Sequence, residues 1–231
     1  MIRKNYTTFI GISMLERITR REEFDLFIAW LAISLAFTII FITPSGILGG
    51  FGENFRVEPI TWALYFGISL ITVGIGFILH EMAHKFLAMR YGFWAEFRKD
   101  NNMLLVAVVL AALVGFVFAA PGATVIYTNP TEGRMITREQ NGKISAIGPG
   151  INLLLCIPFA LIVLLGSSGN PDSLITTIGL IGLRVNAMLA AFNMLPVSIL
   201  DGNKVFAWNK GVFLILVIVA FATLLGSFYY F

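Results

Sequence analysis

The sequence predicts an all-α polytopic membrane protein, with about six apolar helices around a three-helix core and a small β-like element at 121–128. Of its 231 residues, 58% are hydrophobic and only 13% are charged, a composition typical of membrane proteins. Apolar runs of about 20 residues, the length at which a helix crosses a bilayer, alternate with short polar segments. Basic residues lie at the ends of these runs, as topology signals do.

Composition also limits the classes of partner. The net charge of +3 is small, so no nucleic-acid partner is expected, and the lipid bilayer is the predicted surrounding. Cys156 is the single cysteine, which excludes an intrachain disulfide, and its apolar run favours a small core residue. No pattern in the sequence predicts an oligomeric state.

The N-terminal residues 1–25 are polar and charged, and we interpret them as a cytoplasmic head. Residues 26–231 are predicted to form a single transmembrane domain. Thr19, followed three residues later by Glu22, is a capping-box pattern that can start the first helix. The first span is predicted at 26–42. The loop at 43–59 holds a single basic residue, which by the positive-inside rule places it outside.

The second run, about 60–90, then leads from outside to inside, because Lys85 and Arg90 mark a cytoplasmic end. Further spans are predicted at about 144–165, 174–195 and 211–231.

The intervening run 103–119 is barely long enough to cross, and Pro121-Gly122 breaks it before the β-like segment. The basic segment 128–143 again indicates cytoplasm. A single crossing by 103–119 would place this basic segment outside, against the positive-inside rule. Either the run dips into the membrane and returns, or the charge rule fails here.

The second span contains the two histidines of the chain, His80 and His84. Residues four apart share one face of a helix, so both imidazoles can hold one ion with Glu81 beside it. This His-Glu-x-x-His spacing is the zinc-protease pattern, in which the glutamate accepts a proton from water. Burying these groups without partners costs several kcal/mol. A metal site is therefore favoured over an accidental motif.

A catalytic zinc ion takes three protein ligands and keeps one position open. No third histidine exists, so the third ligand must be a carboxylate, and Asp201 is the best candidate because the predicted topology returns it to the depth of the histidines. Pro196 breaks the helix ahead of it, and Gly202 permits a turn after it. An ordinary Asp-Gly turn that caps a span explains Asp201, taken alone, equally well.

Three segments together resemble the site-2 protease family of intramembrane zinc metalloproteases. They are His80-Glu81-Met82-Ala83-His84, Gly148-Pro149-Gly150-Ile151-Asn152, and Asn193-Met194-Leu195-Pro196 leading to Leu200-Asp201-Gly202. The resemblance covers roughly 60–91 and 144–204, the three-span core of that family.

The resemblance implies one Zn²⁺ per chain, bound by His80, His84 and Asp201, with Glu81 as the general base. It makes 26–231 a protease domain that cleaves transmembrane protein substrates within the membrane, on the cytoplasmic side of what we expect is the cell membrane. It also requires an even number of crossings in 103–128. We expect these 231 residues to lack the PDZ domain of larger members, because they leave no space for one.

The resemblance further assigns Asn152 and Asn193 to placing the substrate backbone or the oxyanion. Arg184, in mid-span, is open to two interpretations. It either holds a substrate carbonyl or, as we favour, pairs structurally with a carboxylate or carbonyl groups.

Other functions remain open on the sequence. The main alternative is a membrane zinc transporter or sensor without proteolytic activity, although a transporter needs polar residues along a path rather than at one depth. A catalytically inactive relative that only binds is disfavoured by the presence of Glu81. A different class of membrane zinc protease would use a glutamate as its third ligand.

Overall fold

The computed structural model describes residues 18–43, 57–117, 122–128, 135–167, 173–197 and 199–229. Within these ranges the chain forms seven helices and a two-stranded sheet, which confirms the predicted fold class. Residues 1–17 of the predicted head lie outside the described ranges. In chain order the elements are α1 (Arg20–Ile42), α2 (Pro59–Arg90), β1 (Trp94–Lys99), α3 (Asn101–Val114), β2 (Gly122–Tyr127), α4 (Arg138–Ser167), α5 (Leu174–Asn193), α6 (Asp201–Trp208) and α7 (Lys210–Tyr229).

Five of these helices, α1, α2, α4, α5 and α7, are long and apolar enough to cross a membrane. The chain is therefore a membrane protein. The longest, α2, has 32 residues and extends about 48 Å, well beyond the roughly 30 Å thickness of the hydrocarbon core. Its last turns consequently carry the sequence motif toward one end of the helical bundle.

Local sequence signals set the helix ends. Thr19 caps α1, and its side chain accepts a hydrogen bond from the amide of Glu22, as predicted. Pro59 occupies the first turn of α2, where a missing amide proton is tolerated. After α2 the chain turns at Gly92, whose φ of 85° favours glycine. This turn leads directly into β1.

The run predicted to dip and return forms α3, a helix of 14 residues. Such a helix spans about 21 Å, too short to cross the hydrocarbon core. It ends at Gly115 in the left-handed conformation. Strand β1 precedes α3 and pairs antiparallel with β2 after it, from Trp94 opposite Tyr127 to Lys99 opposite Gly122. Because β2 pairs with β1, the chain after α3 returns to the end of the bundle at which α3 began. This return agrees with the even number of crossings that the resemblance requires in 103–128.

Helix α2 lies at the centre of the bundle. On one side it packs against α1, β1 and β2, and on the other against α4 and α5. Helices α4 and α5 pack closely because α5 presents glycines to α4. A Cβ atom at Gly179 would lie 2.8 Å from Ile162 Cγ2, and one at Gly182 would overlap the ring of Phe159. These glycines fix how near α5, and the loop after it, can come to α4.

Arg184 of α5 lies beside the last turn of α7. Its Nε and Nη2 atoms both donate to the carbonyl of Ser227 at 3.3 Å, and its guanidinium lies 4.6 Å from the centre of the Phe228 ring. A cation near a helix C-terminus is favourable. These contacts support the structural interpretation of Arg184 over contact with a substrate.

Substitution of Gly182 by alanine tests the α4–α5 contact. We expect Gly182→Ala to lower the free energy of unfolding by about 1–3 kcal/mol, because the new methyl group overlaps Phe159. Gly67→Ala in α2 is the control, since a Cβ atom there meets nothing within 4 Å. Thermal melts in detergent should show a lower Tm for the first variant only. Equal melting temperatures would contradict this close packing.

Candidate metal centre

Three side chains that are distant in sequence converge at the end of the bundle. The Nε2 atoms of His80 and His84 are 3.0 Å apart on consecutive turns of α2. The Oδ2 atom of Asp201, the first residue of α6, lies 3.4 Å from Nε2 of His80 and 3.0 Å from Nε2 of His84. All three residues are buried. The structure therefore brings the three predicted metal ligands together, with ligand atoms close enough for one ion.

Asp201 is separated from the end of α5 at Asn193 by a short connection and begins α6. The predicted role of Gly202 is wrong, since this residue lies within α6 and makes no turn. A Cβ atom at Gly202 would overlap the carbonyl of Met194. Glycine is needed here so that the first turn of α6 can lie against the carbonyls of Met194 and Leu195, just after α5.

Both imidazoles are oriented by hydrogen bonds on the side away from Asp201. Nδ1 of His80 lies 2.6 Å from Oδ1 of Asn152, and Nδ1 of His84 lies 2.6 Å from the carbonyl oxygen of Ile144. Because both partners are oxygen acceptors, each Nδ1 carries the proton and donates it. Each Nε2 atom therefore presents a lone pair to the centre, which is the tautomer that a metal ligand needs.

The donor set fits a zinc ion. Two nitrogen lone pairs and a carboxylate oxygen face one another, and only a cation between them makes this arrangement favourable. Donors about 2.0–2.1 Å from a tetrahedral zinc ion are separated by about 3.3 Å, close to the 3.0–3.4 Å observed here. A Cβ atom at Gly148 would overlap Nε2 of His84 and lie 2.6 Å from Nε2 of His80. Glycine thus keeps space open beside the ligand atoms.

Asp201 offers one carboxylate oxygen, Oδ2, to the Nε2 atoms of the two imidazoles. Its second oxygen, Oδ1, lies 3.6 Å from Nζ of Lys204, one turn later on α6. The carboxylate therefore offers Oδ2 to the centre while Oδ1 faces a cation.

The predicted base, Glu81, lies next to the three ligands and lines a cleft with them. The cleft has a volume of about 60 Å³, enough for an ion and a few water molecules. Strand β2 lies along it, and the hydroxyl of Thr124 donates to Oε2 of Glu81 at 2.9 Å. Glu81 is thus close to the metal ligands and to a space that water can enter.

The two predicted substrate-contacting asparagines differ in their surroundings. Asn152 is fully buried, and its Nδ2 donates to the carbonyl of Gly76 and to Oδ1 of Asn186. With Oδ1 facing His80, its polar atoms are engaged inside the protein, which favours orienting the ligand over contacting a substrate. Asn193 lines the cleft, and its Nδ2 donates to the carbonyl of Leu189 in its own helix.

Several residues of the site did not emerge from the sequence. Asn186 supports Asn152 from α5 and offered one signal, an amide in mid-span. Thr124 offered none, because a threonine is ordinary in a strand. Gly148 was named as part of the segment that resembles the family, and the structure shows that it makes room at the ligand atoms.

Comparison with known proteins agrees with this geometry. The chain is 39% identical over 193 residues to the protein named Putative zinc metalloprotease MJ0611 of Methanocaldococcus jannaschii, covering 84% of this chain and 87% of that protein. The chain belongs to this zinc metalloprotease family. A second relative, named Putative zinc metalloprotease YwhC of Bacillus subtilis, is 27% identical over 169 residues, 66% of this chain and 72% of that protein.

No protein-family model and no solved structure matches the chain. Membership of the zinc metalloprotease family gives the convergence of His80, His84 and Asp201 a chemical context. The family name implies zinc, and the donor set fits that metal.

The hydrogen bond between Asn152 and His80 can be tested through metal affinity. We expect Asn152→Ala to weaken zinc binding about 10- to 100-fold, because the imidazole loses the partner that sets its tautomer. Asn193→Ala, which removes a cleft amide with no such contact, should leave zinc affinity unchanged. Competition against a chelating dye measures both variants. Unchanged affinity in Asn152→Ala would show that this hydrogen bond does not orient the ligand.

Proposed function

We propose that this chain is an intramembrane zinc metalloprotease of the site-2 protease type. It hydrolyses peptide bonds within transmembrane segments of other membrane proteins. The observation that carries the proposal is the convergence of His80, His84 and Asp201 beside Glu81 in a bundle with five apolar, span-length helices. The three sequence segments that resemble the site-2 protease family supply the residues of this site and its immediate support.

Each side chain has a role that follows from its position. His80, His84 and Asp201 would hold one zinc ion, which when bound supplies Lewis-acid chemistry to a carbonyl and to water. Glu81 accepts a proton from the attacking water and passes it to the leaving amine. Asn152 orients His80, and Asn193 lies where it can meet a substrate backbone.

The substrate must be an unwound stretch of a transmembrane helix. A helix engages its own peptide groups in internal hydrogen bonds, so a scissile bond becomes reachable only where the helix is broken. The cleft of about 60 Å³ holds water but no peptide. Entry of a substrate therefore requires the elements around the cleft to separate, and helix-breaking residues in the substrate should favour cleavage.

We place the site toward the cytoplasmic face of the cell membrane. The helix ends nearest the site, the C-terminus of α2 and the N-termini of α4 and α7, carry the basic residues Arg90, Arg138 and Lys210. Basic residues at the ends of spans mark the cytoplasmic side. Water also reaches a site more readily there than at the centre of the bilayer.

Replacing Glu81 by glutamine separates a protease from a zinc transporter or sensor. We expect Glu81→Gln to retain one zinc ion per chain and to lose cleavage of transmembrane peptides by at least ~100-fold, because an amide cannot act as the base. The measurements are zinc content by elemental analysis and cleavage by mass spectrometry. Glu23→Gln, the same chemical change at an exposed position of α1 outside the cleft, is the matched control.

Cleavage by Glu81→Gln at the wild-type rate would overturn the assignment of the base. Zinc uptake into vesicles by wild type and variant alike, without cleavage by either, would establish a transporter instead.

A further inference from the structure

Helix α2 presents two neighbouring rows of residues to different parts of the protein. Gly76, His80 and His84 form one row, which faces α4 and α5 through Asn186, Asn152 and the carbonyl of Ile144. Phe77, Glu81 and Lys85 form the adjacent row, again at spacings of four. This second row faces α1 and the sheet rather than α4 and α5.

Lys85, one turn after Glu81, is fully buried and forms an ion pair with Glu22 of α1, which is also fully buried. The Oε2 atom of Glu22 faces Lys85 Nζ, and its Oε1 atom accepts a hydrogen bond of 2.9 Å from the amide of Phe97 in β1. The carboxylate of Glu22 therefore ties α1, α2 and the free edge of β1 at one point. An edge amide buried without such a partner would be costly.

Phe97 links this ion pair to the catalytic cleft. Its amide points to Glu22 and thus away from β2, so Phe97 and its opposite residue Thr124 form a non-hydrogen-bonded pair of the antiparallel ladder. Side chains approach each other most closely in such pairs. The Phe97 ring also packs edge-to-face on Phe77, one turn before Glu81, at 5.5 Å between centres. Phe97, which is opposite Thr124, is therefore held both by Phe77, one turn before Glu81, and by the ion pair of Lys85, one turn after it. These contacts fix the position of Thr124.

Thr124 connects these contacts to Glu81, the proposed base. Its hydroxyl donates to Oε2 of Glu81 at 2.9 Å, and β2 turns this residue inward while Ala123 and Val125 are exposed. Hydrogen bonding at Oε2 restricts rotation of the carboxylate beside the metal ligands. A carboxylate that must accept a proton from one water needs its oxygens within hydrogen-bond reach of it.

We propose that Thr124 is the positioning residue for Glu81, and that the buried Glu22–Lys85 ion pair holds Thr124 in place through Phe97. This inference rests on the proposed function, in which Glu81 is the base. Under this inference the Glu22–Lys85 ion pair serves catalysis rather than stability. Buried ion pairs contribute little stability compared with apolar groups of similar size.

Substitution of Thr124 tests the first part. Thr124→Val should lower kcat for a transmembrane peptide about 10- to 100-fold, with KM and zinc content unchanged, because a misplaced base slows the chemical step. Thr124→Ser keeps the hydroxyl and should restore most of kcat. Thr72→Val is the matched control, because the Thr72 hydroxyl is buried in α2 and donates to the carbonyl of Ile68 in its own helix. We expect it to retain wild-type kcat.

A double-mutant cycle tests the second part. Glu22→Leu combined with Lys85→Met replaces the ion pair by apolar groups of similar size, which commonly preserves folding. We expect this double variant to lower kcat. Adding Thr124→Val to it should then lower kcat little further, because the Thr124 hydroxyl is already displaced from Glu81. Losses that multiply independently would overturn the link through Phe97.

The outcomes separate the two proposals. If the wild type binds zinc and cleaves no transmembrane peptide, the proposed function fails. If the wild type cleaves and Thr124→Val keeps its kcat, or loses zinc to the same degree as activity, the function stands and the positioning role is overturned.

Discussion

The need of the charged and imidazole side chains of α2 for partners inside the protein organises this structure. Lipid offers no hydrogen bonds, and an unsatisfied polar group costs several kcal/mol there. Helix α2 brings four such side chains, His80, Glu81, His84 and Lys85, to one short stretch, and all four are buried. The arrangement of the other elements follows from the partners that these side chains need.

The four-residue spacing along α2 divides those partners into two groups. Helices α4 and α5 orient the imidazoles and leave their Nε2 atoms facing Asp201 of α6. Helix α1 and the sheet engage Glu81 and Lys85 instead. The short excursion through α3 is what makes this possible, because it lets β2 return beside β1 and lie along the cleft. Metal ligands and base are thus supported by separate parts of the fold.

The sequence predicted the features that depend on local spacing or composition. The five spans, the cap at Thr19 and the shared helix face of His80 and His84 all arise from neighbouring residues. The return of Asp201 to the histidines depended on an even number of crossings in 103–128, which the charge pattern left open and the family resemblance required. Features that depend on how helices pack could not be derived in this way. Glu22 was expected to cap α1 with Thr19, yet its carboxylate lies between Lys85 and β1 because α1 crosses α2 at that depth.

X-ray absorption at the zinc edge tests most directly whether three distant side chains hold one ion. In the wild type we expect nitrogen and oxygen neighbours only, with two imidazoles, and in Asp201→Cys a new sulfur neighbour at about 2.3 Å. Asn193→Cys, which places a thiol in the same cleft away from the ligand atoms, should show none. A zinc-loaded Asp201→Cys variant without a sulfur neighbour would contradict the proposed centre.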